Sequence, residues 1–77
     1  MKKIYDYPVL IDHEDGRYVA SCPSFHGCVA QAETYEEAIR EITEGITVFI
    51  ETYQKHRWPL PEHSTPAMTL VKVAVNG

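Results

Sequence analysis

The segment TYEEAIREITEGITVFIETYQK, from Thr34 to Lys55, constrains this chain more than any other stretch. Its apolar residues, Tyr35, Ala38, Ile39, Ile42, Ile46, Phe49, Ile50 and Tyr53, recur at spacings of three and four, which predicts one amphipathic helix over 34–55. Thr34 and Glu37 have the spacing of a capping box, so the start is well marked. Glu36, Glu37 and Glu41 suit the positive end of the helix dipole, and Lys55, His56 and Arg57 the negative end. Gly45 interrupts the apolar stripe between Ile42 and Phe49, where glycine costs about 1 kcal/mol relative to alanine, and predicts close approach of a strand. A helix of this length cannot hide its apolar side alone. The rest of the chain must form the layer that covers it.

That layer reads as a sheet. Residues 2–12 alternate, with Tyr5, Tyr7, Val9 and Ile11 on the side expected to meet the helix and Ile4, Asp6, Pro8, Leu10 and Asp12 on the other. Pro8 has no amide hydrogen, so this strand is at an edge or only partly paired. Asp15-Gly16 signals a hairpin turn into a second strand over 17–22, and Pro23 to Gly27 break the pattern before a third over 28–32. After the helix, residues 56–66 read as an extended connector, with Pro59 preventing helix continuation. Residues 68–75, MTLVKVAV, are rich in β-branched residues and predict a fourth strand, returning by a crossover to lie parallel to the first. The expected fold is α+β, a two-layer β-β-β-α-β arrangement with one long helix on a mixed, mostly antiparallel four-stranded sheet. One helix covers one sheet face, so Ile4, Leu10, Met68 and Leu70 on the other face are expected to form an oligomer interface.

At 77 residues there is room for one small domain with a modest core, which makes homo-oligomerisation an expectation. The formal net charge of -4 argues against binding nucleic acid directly and favours a basic partner. No apolar run approaches the roughly 20 residues of a membrane span, and the start carries no apolar signal core, so a cytoplasmic protein is expected. Cys22 and Cys28 are expected as free thiols in a reducing compartment.

Catalytic and metal readings are weak. Metal-dependent hydrolysis of nucleic acid needs several carboxylates converging on ions about 4 Å apart, and Asp6 and Asp12 are the only acids on their strand face. Cys22, His26 and Cys28 share one loop with spacing open to zinc, and Cys28 beside His26 is open to nucleophilic chemistry, but no further ligand or orienting group accompanies them. With no glycine-rich phosphate loop either, the expectation is a protein with no catalytic residues, metal or cofactor.

Five segments in order, Tyr7-Pro8-Val9-Leu10-Ile11, Gly16-Arg17-Tyr18-Val19-Ala20, Pro23-Ser24-Phe25-His26-Gly27-Cys28, Glu33-Thr34-Tyr35-Glu36-Glu37-Ala38-Ile39 and Pro59-Leu60-Pro61, resemble the HicB-like antitoxin domain. The most specific part is the Pro-x-x-x-Gly-Cys loop followed six residues later by Thr-x-Glu-Glu-Ala at a helix start. Ser24, His26 and Ala32 depart from the aspartate, proline and glycine common at those places. The resemblance implies a truncated ribonuclease H-like fold and an antitoxin that neutralises a small, basic, RNA-cleaving toxin of the HicA type. Many members continue into a segment that binds operator DNA. This sequence ends soon after the fourth strand, and autonomous DNA binding is not expected. The candidate partner-binding residues are Asp12, Glu14 and Asp15 around the first turn, Glu33, Glu36 and Glu37 around the helix start, Phe25 and His26 in the loop, and Trp58 after the helix. For the carboxylates, the competing explanation is local: acids favour turns and first helical turns. For Phe25 and Trp58 it is that aromatics in small domains are usually core. The alternative function is a stand-alone homo-oligomeric structural or ligand-binding module with no toxin.

Overall fold

A computed structural model describes residues 3–62 and 69–77. The helix, α1, spans Tyr35–Lys55. Thr34 adopts an extended conformation at its N-cap, and its Oγ1 accepts a hydrogen bond from the Glu37 amide at 3.1 Å, satisfying one of the free donors of the first turn. At the other end Arg57 has φ 57°, the Trp58 amide donates to the Tyr53 carbonyl at 2.9 Å and the Arg57 amide to the Gln54 carbonyl at 3.2 Å. These are the two bonds of a Schellman cap. The apolar contact that usually accompanies it is present too, as the Tyr53 and Trp58 rings meet edge to face at 5.4 Å. The helix has therefore already stopped before Pro59 is reached, its last residue being Lys55.

Three strands, β1 (Leu10–Glu14), β2 (Arg17–Ser21) and β3 (Val29–Ala32), form an antiparallel sheet in the order β1-β2-β3. Asp15 and Gly16 join the first two with φ of 50° and 74°, so both turn residues lie in the left-handed region, as a two-residue type I′ hairpin requires. Ile11, Ala20 and Ala30 lie opposite one another across the sheet, as do His13, Tyr18 and Ala32. Ile11, Tyr18, Ala20, Ala30 and Ala32 pack into the core, so strand alternation turns Leu10, Val19, Val29 and Gln31 to the other face.

The predicted first strand over 2–12 is corrected at both ends: regular pairing begins at Leu10 and runs on through Glu14. Leu10 pairs with Ser21, and continuing that register would set Pro8 opposite Pro23, two residues without amide hydrogens. The ladder therefore starts beyond them. The predicted fourth strand is a larger difference. Met68 lies outside the described residues, and residues 69–77 form no strand and are exposed throughout. Among the described residues the sheet is accordingly three-stranded and wholly antiparallel rather than mixed.

Ala20, Cys22, Phe25, Cys28, Ala38 and Ile42 are the buried core. Strands of five residues extend about 17 Å, whereas a 21-residue helix extends about 31 Å. The sheet cannot cover α1 from end to end. The loop between β2 and β3 covers much of the remainder, folded tightly by Cys22 amide to Cys28 carbonyl (3.0 Å), Phe25 amide to Cys22 carbonyl (3.1 Å) and Cys28 amide to Phe25 carbonyl (3.1 Å). Gly27, with φ 83°, permits the return. Phe25 is thereby driven among Tyr7, Phe49 and Tyr53, with ring centroids at 4.9, 5.4 and 5.3 Å. At the start of the helix Tyr35 and Ile39, predicted on the buried stripe, are 51% and 36% exposed, because they flank the line that points at the sheet.

Candidate partner-binding surfaces

The strand register brings the β1–β2 turn and the β3–α1 junction to the same end of the sheet, since His13, Tyr18 and Ala32 occupy one row. Asp15 sits in that turn and Glu14 pairs with Arg17 beside it, while Glu33 follows β3 and Glu36 and Glu37 occupy the first turn of α1. All are exposed. Asp12 is also exposed, opposite Val19 and further along β1. The structure therefore gathers six predicted acidic residues around one end of the molecule.

Arg17 is set among these acids. Its Nη1 donates to Gln31 Oε1 at 3.5 Å, and the two residues line a shallow depression of about 220 Å³ with Ala32, Glu33, Glu37 and Glu41. Glu41 was absent from the predicted partner set, although its position one turn beyond Glu37 was legible from helical periodicity. An aromatic row also reaches this end. His13 stacks on Tyr18 with centroids 4.2 Å apart and planes 4° apart, and Tyr18 meets Tyr35 edge to face at 6.1 Å.

The other predicted contact residues lie elsewhere. The β2–β3 loop carries Phe25 and His26 to the opposite end of the sheet, where the helix also finishes. Phe25 is 1% exposed, which corrects its assignment as a partner anchor: its ring fills the gap between loop and helix. His26 is exposed beside it. Trp58 is 52% exposed and stacks on His56 at 4.6 Å, so of the two aromatic candidates it alone presents a ring to solvent. The predicted set is thus divided between an acidic end and an aromatic end, separated by most of the length of α1.

Cys22 and Cys28 are free and buried. Burial pushes the Cys28 thiol above its ordinary range, with Cys22 adding to the effect, so the geometry disfavours the thiolate that nucleophilic chemistry or metal ligation needs. Among the described residues no three His, Cys, Asp or Glu side chains converge as a metal site.

A second concavity, not anticipated from the sequence, lies between residues 3–9 and α1. It is a groove of about 770 Å³ lined by Lys3, Tyr5, Asp6, Tyr7 and Val9 on one side and by Thr43, Ile46, Thr47, Ile50, Glu51 and Gln54 on the other. The Tyr7 hydroxyl donates to the Pro61 carbonyl at 3.0 Å, tying the segment after the helix to the N-terminal segment.

A family profile described as the HicB_like antitoxin of bacterial toxin-antitoxin systems matches residues 7–74, nearly the whole chain. The chain belongs to the HicB-like antitoxin family. This is not an enzyme family. The matched span takes in all three strands, the β2–β3 loop and α1, so the elements described above are those of the HicB-like domain. Among similar proteins, a UPF0150 protein of Synechocystis is 47% identical over 62 residues, covering 79% of this chain and 78% of its own. A UPF0150 protein of Thermoplasma acidophilum is 37% identical over 65 residues, covering 83% of this chain and 94% of its own. No solved structure gives a significant match. Among the described residues of this HicB-like chain, no helix is long and apolar enough to cross a membrane.

Proposed function

We propose that this chain is a non-catalytic, cytoplasmic antitoxin module that binds and neutralises a small basic toxin of the HicA type, one that cleaves RNA. The observation that carries the reading is membership of the HicB-like antitoxin family across residues 7–74. Electrostatics support it. A toxin that grips RNA phosphates needs a basic surface, and Asp12, Glu14, Asp15, Glu33, Glu36 and Glu37 offer carboxylates at one end of a chain of net charge -4. Bound there, the antitoxin occupies the groups that would otherwise hold phosphate. His26 and Trp58 lie toward the other end of α1, on a separate part of the surface.

The test is a tagged pull-down from the native host, eluted with a salt gradient and read by mass spectrometry. The reading expects a short basic protein in near-equal amount, released as salt rises, whose RNA cleavage is suppressed when this chain is added back. Recovery of the chain alone, from cells expressing every neighbouring reading frame, would overturn it in favour of a stand-alone module.

A further inference from the structure

The groove beside residues 3–9 and the exposed segment 69–77 have complementary chemistry. The groove presents Val9, Ile46 and Ile50, while the helix approaches β2 and β3 but not β1, leaving its flank on the β1 side open. The segment alternates like a strand, with Val71, Val73 and Val75 on one side and Leu70, Lys72 and Ala74 on the other. Leu70, Val71, Val73 and Val75 are 93%, 77%, 76% and 82% exposed. Solvated valines in this number mark a surface meant to be covered. None of residues 69–77 lines the groove of its own copy. The radius of gyration is 15.3 Å and the longest extent 55 Å, against roughly 11 to 12 Å of radius for a closely packed chain of this length.

We propose that residues 69–75 of one copy dock as a strand in the groove of a second copy, and that the exchange is reciprocal, giving a two-fold dimer. The valine face then covers Ile46, Ile50 and Val9. On the opposite face Leu70 comes beside Ile4, which is 84% exposed. Lys72, the one charged residue of the segment, shares that face with Asp6 of the groove lining, so an ion pair sets the register. A swapped strand fills both grooves at once and leaves no further donor, which closes the assembly at two copies. The proposal requires no toxin, so its outcome is separate from that of the antitoxin reading.

The test combines light scattering on the purified full chain at tens of micromolar with carbodiimide coupling of an equal mixture of nitrogen-14 and nitrogen-15 chains. The expected result is twice the monomer mass, with Lys72 coupled to Asp6 in mixed-label pairs. Val71→Asp with Val73→Asp, both at exposed positions outside the core, should give a monomer with unchanged helical circular dichroism. A monomeric wild-type chain overturns the proposal. So does a dimer that survives the double substitution, or one in which Lys72 couples only within a single label or not to the groove.

Discussion

Phe25 sits in a loop between two strands yet touches Tyr7, Phe49 and Tyr53, and is as buried as Ile42. Phe25→Ala is therefore expected to lower unfolding free energy by about 3 to 5 kcal/mol, read from urea denaturation, through lost burial and an unfilled cavity. A midpoint within experimental error of the parent would mean that the ring is not core. Nothing in the string Pro23-Ser24-Phe25-His26-Gly27 announces this, because a loop has no period against which burial can be read. Cys28 carries a second consequence at this scale. Its folded thiol titrates above the unfolded value, so its contribution to stability is fully present below the unfolded pKa and is lost as pH rises through the raised folded value. Tyr7 acts with the same sign at higher pH, raised by burial and then by Tyr5 and Cys22. Thermal midpoints followed from pH 7 upward should fall less steeply in Cys28→Ala than in the parent; parallel curves would exclude the thiol as the cause.

At the scale of elements, α1 illustrates how a boundary can be predicted correctly for a partly wrong reason. Pro59 is the obvious stop signal, but the helix ends through the Schellman cap, with Arg57 in the left-handed conformation that glycine usually fills. Arg57→Gly removes a Cβ that costs about 1 kcal/mol there, and a gain of that order in denaturant titration is the expected outcome. A loss instead would show that the arginine side chain makes a stabilising contact. Gly45 was expected to permit unusually close packing. A Cβ at that position would lie 3.7 Å from Cys28 Sγ, an ordinary contact distance, so the glycine is not sterically required. Gly45→Ala should raise stability by about 0.5 to 1 kcal/mol, and a drop in thermal midpoint would count against that contact. The start of β1 teaches the converse. Its alternation was clear from residue 2 onward, but the two prolines that would oppose each other confine the ladder to the part beginning at Leu10.

At the scale of the molecule, the acidic cluster and the groove occupy different parts of the surface. The acidic end surrounds Arg17, and the groove, whose lining includes Lys3, Asp6 and Glu51, runs between residues 3–9 and α1. If the acidic end meets a basic toxin, replacing Glu33, Glu37 and Glu41 together with glutamine should slow association about tenfold at low ionic strength, with the difference shrinking as salt screens the field. Stopped-flow mixing at two salt concentrations reads this directly, and rates equal to the parent at both would remove the acidic end from the encounter. These three residues lie outside the buried core, so circular dichroism should be unchanged.

The helix, its N-cap, the β1–β2 turn and the antiparallel order of three strands were all legible in the residues, because each depends on contacts between near neighbours: period 3.6, period 2, a threonine three residues before a glutamate, and an Asp-Gly turn. The family was legible for a related reason, since its motif lies on those same local elements. The tertiary structure decided what depends on distance through space. It placed Phe25 inside, divided the predicted contact residues between two ends of the helix, added Glu41 to the acidic depression and left residues 69–77 exposed and outside the sheet. The composition of residues 68–75 identifies a segment suited to a strand, but a strand is completed by its partner, and which edge supplies that partner is a property of the assembled fold.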